Sequence, residues 1–202
     1  MIPASLILSA IVPFASAHDD DTCLLLVAKN ISNPGGNFYL YHIIQDREIK
    51  IQPGDRLKYE LFLMPSNPSA KGGIDILCGD GKSLRDSGAV DDGGIRAHGD
   101  SILTNASGKW LARTIDISSL KDSTTQHFDV HFEGDEKGEF IQFIDNMVIE
   151  RADGSAIVVY ENGQPKVNRV DWKNGYSENC LCVPVLREKV KIGSELDALI
   201  ND

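Results

Sequence analysis

The stretch from Asp80 to His98 carries the densest set of side chains able to do chemistry: Asp80, Arg85, Asp86, Asp91, Asp92, Arg96 and His98. Carboxylates accept hydrogen bonds and guanidinium groups donate them in a fixed plane, a mixture that suits the hydroxyls of a sugar. Arg85, Asp86, Asp91, Asp92, Arg96 and His98 are therefore the candidate carbohydrate contacts. Trp172 and Tyr176 join them, because flat aromatic faces suit sugar rings and both lie in a polar stretch, Asp171 to Tyr176. Trp110 starts a strand and reads as core. The competing reading of the Asp80–His98 segment is a solvated loop whose Arg and Asp side chains pair with one another. Its spacing lacks the terminal Glu of an EF-hand. Aromatic residues make up only 7% of the chain, too few for the stacking platform that crystalline polysaccharide requires.

A second group is His127, Asp129 and His131, which alternate along one strand face. A tetrahedral zinc site needs more ligands than these. The polar outer face of an antiparallel strand accounts for them. There is no Gly-x-Ser-x-Gly elbow, no His-Glu-x-x-His and no phosphate-cradling glycine loop. A glycosidase needs two facing carboxylates, and nothing selects a pair among the 30 acidic residues.

Met1 to Ala17 is apolar, uncharged and closed by Ala15-Ser16-Ala17, the small-x-small pattern of signal-peptidase cleavage, with Asp19, Asp20 and Asp21 just beyond. The expected product is secreted, extracellular and starts at His18. An amino-terminal histidine can chelate copper through its amine and ring. That start resembles the copper site of lytic polysaccharide monooxygenases, and it defines the alternative function, a copper-dependent polysaccharide oxidase. A glycoside-hydrolase-like enzyme is the other catalytic alternative.

The four cysteines, Cys23, Cys78, Cys180 and Cys182, all follow the expected cut. In an oxidising compartment an even count suggests disulfides. Cys180 and Cys182 are too close to pair easily, so each is expected to reach back to Cys23 or Cys78, with either connectivity open. Each bridge would contribute on the order of 4 kcal/mol. The alternative is four reduced thiols. Asn30 and Asn105 each open an Asn-x-Ser sequon and are candidate glycosylation points. A formal charge of −10 repels nucleic acid. No further apolar run approaches the roughly 20 residues of a membrane-spanning helix. A monomer is expected.

Positioning falls to strands. In Arg56–Leu63 the residues Leu57, Tyr59, Leu61 and Leu63 share one face, and in His127–Glu133 Phe128, Val130 and Phe132 share one face. This period-two alternation marks half-buried strands. Phe140–Ile149, broken by Gln142, Asp145 and Asn146, reads as a central strand buried on most of both faces, and Leu24–Ala28, Phe38–Ile44, Gly73–Cys78, Trp110–Ile115 and Ala156–Tyr160 are shorter candidates. Gly-, Asp- and Asn-rich turns separate them, which predicts an all-β antiparallel sandwich or barrel. The predicted organisation is a signal peptide (1–17), a β-sandwich domain (18–164) and a cysteine-tied extension (165–202). One short helix is expected there, over Ser194–Ile200, with Ser194 as its cap.

Three phrases resemble jelly-roll carbohydrate-binding modules with the galactose-binding-like fold. They are Ile51-Gln52-Pro53-Gly54-Asp55 running into Arg56–Leu61, Gly108-Lys109-Trp110 followed by Ile115–Leu120, and Phe140–Ile149 with its Phe143-Ile144-Asp145-Asn146. The likeness spans about Asn30 to Tyr160. It implies a jelly-roll sandwich, non-catalytic binding of a glycan or polysaccharide, and a structural calcium ion held with the help of Asp145, oxygen ligands being suited to a hard cation. The competing account of Asp145 is a strand carboxylate bonded to a neighbouring backbone amide. A secreted protein that recognises other proteins is the remaining class.

Overall fold

Alternation sorts the side chains of Arg56–Leu63 as expected: Leu57, Tyr59, Leu61 and Leu63 are all buried in one hydrophobic cluster. The strand is the third of ten in a computed structural model that describes residues 21–30, 38–44, 47–164, 167–170 and 180–200. In chain order the strands are β1 (Thr22–Asn30), β2 (Phe38–Ile44), β3 (Arg56–Leu63), β4 (Gly73–Cys78) and β5 (Leu111–Asp116). They continue with β6 (Thr125–Gly134), β7 (Gly138–Glu150), β8 (Ala156–Tyr160), β9 (Val167–Val170) and β10 (Cys180–Leu186). A short helix, α1, covers Leu196–Ile200. Among the described residues no helix is long and apolar enough to cross a membrane.

The strands form two antiparallel sheets. The larger has the order β10-β1-β7-β3-β5, with β8 also paired to β7; the smaller has the order β4-β6-β2-β9. From β1 to β7 each connection crosses from one sheet to the other. Leu24 and Leu26 of β1, Ile144 of β7 and Leu57, Tyr59, Leu61 and Leu63 of β3 meet Ile74 and Ile76 of β4 and Phe128, Val130 and Phe132 of β6 in one core. Apolar area removed from water by both layers is what holds them face to face.

The larger sheet is buried on its other face as well. Cys23, Leu25, Val27, Phe62, Ile141 and Phe143 form a second cluster with Val185, Val190 and Leu199. The segment after β10 supplies Val190, Leu199 and the partly buried Leu196 and Ile200, so α1 earns its place by covering this face. β7 serves both clusters because it changes phase. Phe140 and Ile144 face the inter-sheet core, and so do Met147 and Ile149, an odd step later. Two residues of β7 stand opposite Tyr59 of β3, since Lys58 pairs with Val148 and Glu60 with Asp145. Asn146, at φ +50°, takes the left-handed conformation of this bulge.

The tail is tied by strand pairing, which corrects the expected disulfide staple. β10 pairs with β1 from Thr22↔Leu186 to Ala28↔Cys180, and β9 pairs with β2. Among the described residues Cys23 and Cys78 are free thiols. The reason is the pleat. Cys23 lies in the outer cluster, whereas Cys78 and Cys182 belong to the inter-sheet side, so Cys23 is cut off from both by the thickness of a sheet. Cys180 stands opposite Ala28, and its side chain is outside the described residues. Pro184 sits in β10, an edge strand, where its missing N–H is tolerated. Ser194 does not cap a helix from its side chain: its hydroxyl donates to the carbonyls of Lys189 and Lys191 and accepts from the Lys191 N–H, tightening the turn before α1.

Candidate functional site

The outer face of β6 is where sequence and structure part. Period two places His127, Asp129, His131 and Glu133 away from the core, on a face expected to be wet. Yet Asp129 is 5%, His131 0% and Glu133 8% exposed. The cover is the 79–103 segment between β4 and β5. Among the described residues these are edge strands of the two sheets. The segment contributes Leu84, Ala97 and Leu103 to the inter-sheet core. It then lays His98 and Gly99 on β6: the Gly99 N–H lies 3.3 Å from His131 Nε2. A Cβ at residue 99 would stand 2.5 Å from the same nitrogen, so only glycine allows this approach.

Arg113 of β5 fixes the segment. Leu111, Arg113 and Ile115 point to the same side, so an arginine occupies an inward position and must be fully bonded there. Its Nε and Nη2 bind Asp91 Oδ2 at 2.9 Å. Its Nη1 donates to Tyr59 Oη at 2.9 Å, and its Nη2 donates to the Arg96 carbonyl at 2.9 Å. The other oxygen of Asp91 accepts the N–H groups of Gly93 at 3.0 Å and Ile95 at 2.9 Å, closing the turn. Asp75 of β4 accepts the Arg85 and Ile76 N–H groups.

The expected sugar contacts thus divide. Asp91 holds the loop from within. His98 is 2% exposed. Its Nε2 lies 3.0 Å from Glu133 Oε2 and its Nδ1 3.0 Å from Asp100 Oδ1. Arg85, Asp86, Asp92 and Arg96 are exposed. Arg85 pairs with Glu133 at 3.3 Å and Arg96 with Asp100 at 3.7 Å, Asp92 pairs with Arg56, and Asp86 accepts from the Ser83 hydroxyl at 3.0 Å. Trp172 and Tyr176 lie outside the described residues, as do His18 and the 1–17 segment. Glu133, Asp100, Asp75 and Arg113 complete the site without having been selected from the sequence. The available signal was an arginine at an inward position of a strand.

Charge in this layer follows burial. Burial pushes His131 down to about 3, helped by the neighbouring charge of His98, so its imidazole is neutral. Burial opposes protonation of His98 too, but Glu133 and Asp100 outweigh it and hold its pKa above the ordinary histidine value. Burial, with the Asp75 carboxylate beside it, pushes Asp129 up to about 8. Burial alone lowers His127.

Asp145 stands on the far face of the larger sheet. Its carboxylate is ion-paired with Arg187 and accepts the Asn146 N–H at 2.7 Å. Arg187 also pairs with Glu60 at 2.7 Å and lies over Trp110, 4.1 Å from the ring centroid. Asn105 is exposed in a 3₁₀ turn, and Asn30 ends β1.

No protein-family model matches the chain, and no curated protein does.

Proposed function

We propose that this chain is a secreted, non-catalytic carbohydrate-binding protein, a jelly-roll sandwich that meets its ligand with the outer surface of the 79–103 segment. The observation that carries the reading is the anchoring of that segment. Its turn is bonded to Arg113 from below, while Arg85 and Arg96 emerge with side chains 43% and 55% exposed. A loop ordered in advance loses little entropy on binding, and planar guanidinium donors beside Asp86 and Asp92 match a hydroxyl-rich or carboxylated sugar. The alternation of successive strands between two sheets supports the jelly-roll assignment. The cation beside Asp145 is the Arg187 guanidinium, so the reading needs no calcium.

A glycan array of neutral and uronic-acid oligosaccharides, followed by titration of the best hit, tests it. Saturable binding is expected, weakened about tenfold or more by Arg85→Ala and Arg96→Ala, each hydrogen bond to a charged group contributing roughly 1.5–3 kcal/mol. Flat binding across the array overturns it.

A further inference from the structure

We infer that His98, His131 and Glu133 form a binding site for a divalent transition-metal ion of zinc type, which clamps the 79–103 segment to β6. The three offer one ligand atom each, all within 4.8 Å of one another, and all three residues are buried. The inference stands apart from the carbohydrate reading, since it concerns how the segment is held rather than what its surface meets.

The donor set is the first argument. Two imidazoles and one carboxylate suit zinc and its neighbours, and the same set with an open fourth position recurs in zinc proteins. Bonds of about 2.0–2.1 Å place tetrahedral ligand atoms about 3.3 Å apart. His98 Nε2 and Glu133 Oε2 are already 3.0 Å apart. The His98 and His131 rings lie 4.8 Å apart, centroid to centroid, and tilted by 38°. Small side-chain rotations bring the third ligand in.

The surroundings are the second argument. A metal-binding histidine usually turns its other nitrogen to a carboxylate or carbonyl, which fixes the ring and strengthens the ligand. His98 does so, with Asp100 3.0 Å from Nδ1 on the side away from Glu133. His131 presents Nε2 to the segment, 3.3 Å from the Gly99 N–H. Arg85 pairs with Glu133 at 3.3 Å, Asp75 faces the charge of His98, and Gln142 Nε2 donates to the His131 carbonyl at 3.0 Å. The ligands come from both sides of a seam: His98 belongs to the segment, His131 and Glu133 to the sheet.

The test uses the full secreted chain, stripped with a chelator and titrated with zinc chloride in a calorimeter. One zinc per chain is expected to bind. His98→Ala and His131→Ala should each weaken binding at least a hundredfold, and Asp100→Asn about tenfold. His127→Ala and His18→Ala should leave it unchanged. Zinc X-ray absorption of the wild-type loaded chain should show two imidazoles at about 2.0 Å with oxygen completing the shell. This keeps the inference testable if a variant fails to fold. The inference is overturned by non-saturating binding, by an all-oxygen shell, or by loss of binding in His18→Ala with His98→Ala unaffected.

Discussion

Replacing Arg113 with methionine removes the group on which the 79–103 segment hangs, and the cost can be worked from its partners. Methionine preserves much of the apolar stem. It leaves Asp91 Oδ2, Tyr59 Oη and the Arg96 carbonyl without the donors now 2.9 Å away. The Arg113 side chain is 0% exposed and that of Asp91 9%, so solvent screens the pair little. Removing one partner of a buried pair typically costs 3–5 kcal/mol, because the other charge stays behind. That is a large part of the roughly 5–15 kcal/mol that holds a domain folded. For a domain of this size it corresponds to a fall in Tm of roughly 6–20 °C. Urea unfolding followed by far-UV circular dichroism measures the loss. Limited proteolysis within 79–103 should accelerate in the same variant. The Asp91→Ala variant closes a double-mutant cycle, in which the two losses should fall well short of additive. A loss under about 1 kcal/mol, or additive losses, would refute the view that this pair anchors the segment.

Two further predictions follow from burial. The folded chain keeps the Asp129 proton up to about pH 8, whereas an unfolded aspartate gives it up near 4. The unfolded state therefore holds fewer protons across that interval, and stability must fall as pH rises through it. His131 acts in the opposite sense below its unfolded pKa of about 6.5, so the metal-free chain should be read above that value, where Tm is expected to fall towards pH 8. Asp129→Asn should flatten this slope and be the more stable protein at pH 8, with a residual slope of the same sign from His98. A slope unchanged by the substitution would count against the buried, protonated carboxylate. The second prediction concerns thiols. Burial pushes Cys23 up to about 12 and Cys78 up to about 11, so neither is a thiolate at pH 8. Both should resist iodoacetamide in the native chain and react after denaturation without reductant; a mass showing either in a disulfide would contradict the free thiols.

The strands were legible where one face alone is buried. Leu57, Tyr59, Leu61 and Leu63, and Phe128, Val130 and Phe132, announce their side of the sheet by period two, and both sets pack as read. The same rule misjudged the other face of β6. Alternation says which side chains avoid the core, but not whether a later segment will cover them, and His131 and Glu133 owe their burial to residues some 30 positions earlier. The tail was hidden for a related reason. In Cys180–Leu186 the eye goes to two cysteines and a proline, while the alternate Leu181, Val183 and Val185 pack against the outer cluster. The resemblance implies a calcium role for Asp145, while the residue alone also reads as a strand carboxylate bonded to a neighbouring amide; it accepts the Asn146 N–H and pairs with Arg187, which comes from a different part of the chain.

β1 is hydrogen-bonded on one side to β7 and on the other to β10, so Thr22–Asn30 cannot complete its pairing until the chain has been made as far as Leu186. At roughly 5–20 residues per second, the ribosome leaves this greasy first strand waiting for about ten seconds or more. During that interval its backbone is open to any passing partner. Nascent molecules should therefore depend on a holding chaperone far more than refolding ones do, because the whole chain is present from the outset in refolding.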